Sequence, residues 1–225
     1  MSNSENNLLM LGLIKYGQLE HLQSLQMGNL YCNSIQYFAK CDESRGIGDK
    51  YETITKQTFG KTATLNINEG DLNRQLIIER DPSGNNKNLL FDKEFYANLF
   101  CLYSVNSKIN GFEYKLELPV DMANVYGHML IIRDTVAFNQ RVVKKLTELK
   151  LECKMGLIEY IDFTNFEGRK TYFQKPLKYR NQNEYRIMIK NTVENPIIID
   201  IGSIKDISEI YTVEEVKRVT VFVGI

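Results

Sequence analysis

The chain has no tryptophan, and only four prolines, four cysteines and two histidines in 225 residues. Its charges cancel, with 28 Lys plus Arg against 28 Asp plus Glu. The shortage of proline, with no Ser/Gly-rich or single-sign stretch, leaves no linker on which to divide the chain. Residues 1–225 therefore read as a single domain. The cysteines, Cys32, Cys41, Cys101 and Cys153, are scattered and form no C-x-x-C pair. That excludes a disulfide scaffold and predicts reduced thiols in a cytoplasmic protein. His21 and His128 stand at no ligand spacing from each other or from a cysteine, so no metal site is expected. Zero net charge provides no general field towards nucleic acid or anionic lipid, though a local basic patch remains compatible. The polar start, MSNSENN, is unlike the basic opening of a secretory leader. The apolar run from Leu8 to Ile14 is too short to cross a bilayer, so no membrane partner is expected.

What is present is ordinary for a globular domain: 43% hydrophobic and 25% charged residues, enough for one sizeable core. Leu8 to Tyr16 reads as a buried strand. A helix follows with Leu19, Leu22 and Leu25 on one face, closed by Gly28. LYCNSIQYF, Leu30 to Phe38, looks extended, and Lys40 to Tyr51 is a polar stretch expected to be a mobile loop. Strands are expected at Thr62 to Ile67, Gln75 to Arg80 and Phe95 to Tyr103, with a turn at Asp81 to Gly84. Met129 to Ile132 is another. Asp134 then caps a helix whose Phe138, Val142, Leu146 and Leu149 recur at steps of four, four and three. Further strands are expected at Leu157 to Phe163, Glu184 to Lys190, Ile197 to Ile201 and Val219 to Val223. Helices are too few for a parallel βαβ rhythm. The expected class is α+β, a mixed and mostly antiparallel sheet with a few flanking helices.

One segment carries a chemical pattern. In NQNEYRIMIK, Asn181 to Lys190, strand alternation puts Tyr185, Ile187 and Ile189 on one face and Gln182, Glu184, Arg186, Met188 and Lys190 on the other. A carboxylate fixed beside a sugar can stabilise the oxocarbenium-like charge that develops when a nicotinamide–ribose bond breaks. An amide two residues earlier on the same face can orient an acceptor. The bland alternative is a solvated face with a Glu/Arg pair. If Glu184 lines an open cleft, Glu184→Gln is expected to leave stability nearly unchanged.

Other patterns carry other chemistry. Arg45-Gly46-Ile47-Gly48-Asp49 lacks the G-K-[ST] of a phosphate loop. It reads as a surface turn, or as a lip in which Arg45, Asp49 and Glu52 close over a ligand or partner. Glu113-Tyr114-Lys115 and Glu152-Cys153-Lys154 fit the short half of a metal nuclease pattern, with Asp121 or Asp134 as partner. Cys101 and His128 would make a nucleophile–base pair if the fold joined them. Tyr172, Phe173, Tyr179 and Tyr185 interleave with Lys175, Lys178, Arg180 and Arg186, a pattern of single-strand binding or of core rings with solvated charges.

Seven stretches also carry a resemblance: Lys15 to Gly28, LYCNSIQYF with GIGDKYE (Gly46 to Glu52), FCLYS (Phe100 to Ser104), His128 to Val142, FQKPLKYRNQNEYRI (Phe173 to Ile187) and IGSIKDIS (Ile201 to Ser208). Together they resemble a widespread group of uncharacterised bacterial and phage proteins, itself distantly similar to the ADP-ribosyltransferase superfamily. That resemblance implies an ADP-ribosyltransferase-like fold with NAD as substrate and no metal. Glu184 would be catalytic and Gln182 would orient the acceptor. Lys15 or Tyr16 would grip the dinucleotide, Tyr31 and Tyr37 would offer a ring to nicotinamide, and Ser104 (with Tyr103) would stand on a middle strand. The first strand lacks the usual His or Arg, and a Ser-Thr-Ser is missing. The acceptor would be a protein or nucleic acid, in toxin or phage-defence biology with a defence-system or antitoxin partner. The alternative is a non-catalytic module that binds a partner protein or a nucleotide in the same cleft.

Overall fold

The computed structural model describes residues 8–41, 48–49, 51–60, 74–80, 86–92, 96–108 and 126–216. In chain order the elements are β1 (Leu8–Gly17), α1 (Leu19–Gln26), β2 (Asn29–Ser34), α2 (Ile35–Lys40), β3 (Ile54–Gly60), β4 (Arg74–Arg80), β5 (Asn86–Asp92) and β6 (Ala97–Lys108). They continue with β7 (His128–Ile132), α3 (Thr135–Glu148), β8 (Cys153–Leu157), β9 (Glu159–Ile161), β10 (Gly168–Arg169) and β11 (Gln174–Pro176). A 3-10 turn (Leu177–Gln182), β12 (Glu184–Lys190), β13 (Ile197–Asp200), β14 (Ser208–Thr212) and α4 (Val213–Val216) complete them. The class is α+β and the sheets are mostly antiparallel; β9 and β11 form a parallel pair.

Eight strands form the main sheet, with β13-β2-β6-β1-β7-β14 as its path and β12 joining β6 to β8. Its organising strand is β6, which pairs with β12 along residues 97–103. It also pairs with β2 at Leu99 and Asn98, and with β1 from Tyr103 onwards. A strand has two edges and β12 occupies one, so β1 and β2 share the other and part from each other between Leu99 and Tyr103. A smaller sheet, β10-β3-β5-β4, and the β9–β11 ribbon accompany it.

Alternation along the strands sorts the core. Leu13, Phe100, Leu102, Leu130, Ile132, Tyr185, Ile187 and Ile189 pack with Leu22 and Leu25 of α1 and Phe138, Val142 and Leu146 of α3. Their neighbours Ile14, Tyr16, Val105 and Met129 form a separate cluster. The expected pattern of α3 is fulfilled at Phe138, Val142 and Leu146 but not at Leu149, which is exposed at the C-cap, and the Asp134 side chain accepts from the Ala137 N–H at 2.8 Å as the expected N-cap. No helix among the described residues is long and apolar enough to cross a membrane.

Three expectations are corrected. LYCNSIQYF is extended only to Ser34, where the Ser34 Oγ accepts from the Tyr37 N–H at 3.1 Å and starts α2. Leu157 to Phe163 is not one strand. At Ile158 the chain leaves the edge of β12, donates to the Glu184 carbonyl, and re-forms as β9 against β11. Lys40 to Tyr51 is not wholly a solvent-side loop, because Asp49 is fully buried. Strands β3, β5, β8, β10, β11 and β14 were not anticipated. The expected strands at Thr62 to Ile67 and Val219 to Val223, and the turn at Asp81 to Gly84, lie outside the described residues.

Gly28 ends α1 with φ +107°, and a Cβ there would stand 2.3 Å from the Gly202 carbonyl oxygen. Gly202 also has positive φ, +76°, but open space around it. Gly202→Ala should therefore cost about 1–2 kcal/mol from left-handed strain alone. Gly28→Ala should cost clearly more, because backbone overlap adds to the strain. Urea midpoints of the two variants check this, and equal losses would refute it.

Candidate functional site

A cavity of about 840 Å³ opens where β1 and β2 part. All five residues of β6 from Leu99 to Tyr103 line it, with Ile14 to Gly17 of β1 and Tyr31 and Asn33 of β2. The Lys15 ammonium bridges the gap, donating to the Cys101 carbonyl at 2.7 Å and lying 4.7 Å from the Phe100 ring centre. Among the described residues no carboxylate pairs with it. Burial lowers the Lys15 pKa, against the opposing pull of Cys101, Cys32 and Glu184.

Strand β12 brings its polar residues to the same place. Register sets Glu184 opposite Tyr103 and Arg186 opposite Cys101. Tyr185, Ile187 and Ile189 enter the helix-side core as the alternation requires. Glu184 is buried, and each carboxylate oxygen is held by a cation: Oε1 by Arg186 Nε at 2.7 Å, Oε2 by Lys175 Nζ at 2.7 Å. The solvated Glu/Arg face is therefore excluded, and the condition on which Glu184→Gln would leave stability unchanged is not met, because Glu184 is a buried partner of Arg186. Glu184 still lines the cavity, as do Gln182, Lys175, Arg186 and Glu52. A carboxylate offers about four lone-pair positions, so each oxygen retains capacity for one more donor.

Gln182 does not belong to the strand alternation. It closes the 3-10 turn, and Asn183, at φ +38°, turns the chain into β12. Its side chain nonetheless meets Glu184 through a third residue, because Lys175 Nζ donates to Gln182 Oε1 at 3.0 Å.

Beneath this pair lies a larger charge cluster. Arg186 also ion-pairs with Glu52, each side chain about 1% exposed, and donates to the Tyr172 carbonyl at 2.5 Å. Lys170 is buried and donates to the Tyr51 carbonyl at 2.9 Å. Buried Asp49, Glu52 and Glu184 thus balance buried Lys170, Lys175 and Arg186. Burial alone would raise the Glu184 carboxyl pKa, but Arg186 and Lys175 outweigh it and hold it far below the carboxylate range. For Asp49 the balance goes the other way: burial, then Glu52, outweigh Lys170, Lys175 and the Tyr51 N–H and push it up to about 6. Burial takes Lys170 down to about 8 despite Glu52 and Asp49.

The remaining expected residues divide. Tyr16, Tyr31 and Tyr37 line the cavity, Tyr31 and Tyr37 with half-exposed rings on its rim. Tyr16 is 8% exposed and its hydroxyl finds no hydrogen-bond partner among the described residues. Ser104 is fully buried, bonds to Asn106 at 2.7 Å and is not among the lining residues; Tyr103 is. Asp49 and Glu52 sit inside the ion cluster and not on a lip, while Arg45 lies outside the described residues. Cys101 borders the cavity with its thiol pushed up to about 12 by burial, then by Glu184, and His128 is not in the lining. Glu152 pairs with Lys190 at the surface. In the aromatic–basic stretch the rings of Phe173, Tyr179 and Tyr185 are core, yet Lys175 and Arg186 are buried with them and not solvated. Among the described residues no three His, Cys, Asp or Glu side chains converge as metal ligands.

Lys175, Lys170 and Tyr160 were not singled out as site residues from sequence. No periodicity points to them, because they reach the site from a two-stranded ribbon and a loop.

No family model, curated protein or solved structure matches the chain.

Breaking a buried ion pair by removing one partner costs about 3–5 kcal/mol, so Glu184→Gln should lose at least about 3 kcal/mol. In the wild type, the depressed Glu184 pKa means that its contribution is present above the unfolded value of 4.5 and lost as pH falls below it. Asp49 acts oppositely: with a folded pKa near 6 against 3.8, the folded state binds its proton more tightly, so its contribution grows as pH falls from 6 to 4. Urea midpoints across pH 3–7 should thus hold or rise slightly down to about pH 5 and drop below 4.5. The acid drop should be shallower in Glu184→Gln, and identical profiles would refute the assignment.

Proposed function

We propose that the cavity takes NAD as substrate and that the protein is an ADP-ribosyltransferase-like enzyme. The observation that supports this is convergence. Two strands some 170 residues apart in sequence flank β6, Ile14 and Glu184 both standing opposite Tyr103. The dinucleotide-gripping positions, Lys15 and Tyr16, and the Gln182/Glu184 pair therefore border one cavity. That is the relation the resemblance implies between an early strand followed by a helix and a later strand carrying Q-x-E.

In this reading Lys15, which has no carboxylate partner among the described residues, meets the pyrophosphate, and the Tyr16 hydroxyl, also without a hydrogen-bond partner among them, bonds to the same ligand. Tyr31 or Tyr37 stacks on the nicotinamide at the rim. Glu184, ionised at every working pH, accepts from a ribose hydroxyl and faces the developing positive charge at C1′. The electron pair of the nicotinamide–ribose bond leaves with the ring nitrogen. A lone pair of the protein or nucleic-acid acceptor, oriented by Gln182, closes the new bond at C1′, and the acceptor proton passes to solvent. Such activity fits toxin or phage-defence biology in a cytoplasm.

One observation favours a second reading. The charge of Glu184 is already balanced by Arg186 and Lys175, which weakens its field at C1′. A module that binds a nucleotide without transforming it would tolerate this balance.

The test incubates the protein with labelled NAD and cell lysate, beside Glu184→Gln checked for folding by its melting temperature. Transfer or nicotinamide release in the wild type, cut about 100-fold or more in the variant, supports the enzyme. An NAD-dependent rise in melting temperature without release supports the binding module. Neither signal overturns both.

A further inference from the structure

Gln182 and Glu184 cannot be aligned by strand geometry, because a 3-10 turn and the left-handed Asn183 intervene. Something else must hold the amide to the carboxylate. Glu184 is gripped at every polar group it has. Its N–H donates to the Tyr160 hydroxyl at 2.8 Å. Its carbonyl accepts from the Ile158 N–H at 2.9 Å. Its Oε2 accepts from Lys175 Nζ at 2.7 Å, and the same ammonium donates to Gln182 Oε1 at 3.0 Å. Tyr160 and Lys175 are themselves cross-strand partners in the parallel β9–β11 ribbon. The ribbon is thus a clasp: one strand holds the backbone at the head of β12, and the other holds both side chains.

We propose that Lys175 is a positioning residue that locks Gln182 and Glu184 into one arrangement at the cavity, with Tyr160 as the backbone half of the same clasp. For its effect on turnover this rests on the transfer reading; for its effect on the Glu184 carboxylate it does not. Lysine suits the task. A tetrahedral ammonium has three donors, so it serves two acceptors at different angles. It is only about 5% exposed, and burial works against its charge. Glu184 and Glu52 more than restore that charge, so the clasp stays closed at working pH.

The experiment compares wild type, Lys175→Met and Lys175→Arg, each first shown to be folded, with exposed Lys178→Met as control. Two readouts are used: nicotinamide release as a function of NAD, and the pH titration of the Glu184 side-chain carboxyl by carbon NMR. A shift of a reacting group by an ångström costs up to about 100-fold, so Lys175→Met should lower kcat by about 10-fold or more. Its KM should stay within about 3-fold, because the gripping residues Lys15 and Tyr16 are untouched. The Glu184 carboxyl should titrate at higher pH in Lys175→Met. Lys175→Arg, which keeps the charge and has donors for two acceptors, should recover part of kcat and most of the titration. Lys178→Met should match the wild type in both. A wild type that releases no nicotinamide removes the transfer reading alone. In that case the titration decides, and an unmoved Glu184 carboxyl in Lys175→Met overturns the clasp. Unchanged kcat in an active, folded Lys175→Met overturns it as well.

Discussion

A guanidinium with about 1% of its surface exposed is the constraint around which this molecule is arranged. Arg186 lies on a central strand with no water to solvate it, and an unpaired buried charge costs far more than a packing defect. It must be met by carboxylates, and Glu184 two residues along the same strand face supplies one. The second, Glu52, has to come from elsewhere in the chain. That draws Glu52 inwards with Asp49 and Thr53, and Lys170 and Lys175 follow to balance the acids. Loops that composition marks as solvent-facing are thereby tied to the centre of the sheet.

The second constraint is geometric. Strand β6 is long enough to carry two neighbours in succession on one edge, and β1 and β2 cannot both reach the stretch between Leu99 and Tyr103. Unpaired strand edge is normally covered or charged. Here the Lys15 ammonium takes up the Cys101 carbonyl, and the space left by the missing strand is the cavity. The charge cluster ends beside that space, so what stabilises the fold and what would meet a ligand are the same side chains. Such overlap is common at functional sites, where groups are held in arrangements that stability alone would not select.

The site was partly legible. Glu184 and Arg186 could be placed on one strand face because a two-residue period governs any strand, wherever it sits. Lys15 and Tyr16 came from the resemblance, and Tyr31 and Tyr37 with them; all four border the cavity. Ser104 did not follow, since it lies past the stretch where the strands part, paired with Leu13 of β1 and fully buried, while its neighbour Tyr103 ends the open stretch. Glu52 and Asp49 were noticed for the wrong reason, as a lip, because polarity in a glycine-containing stretch ordinarily signals exposure. Lys175 was read among solvated charges. Nothing in FQKPLKY shows that its lysine is one half of a parallel pair with Tyr160.

By itself the sequence determined the elements whose burial repeats: α1 by Leu22 and Leu25, though not the exposed Leu19, α3 by the four-residue steps of Phe138, Val142 and Leu146 and its Asp134 cap, and β12 by alternation. It also determined the α+β class that follows from few helices among many strands. These are decided within a turn or two of chain, where side-chain direction depends on local geometry alone. Tertiary structure decided which strand neighbours which, where β1 and β2 separate, and whether a charge meets water or a counter-charge. Those outcomes depend on groups far apart in sequence, and the desolvation that forces Arg186, Glu184, Glu52 and Lys175 together does not exist until the chain has closed around them.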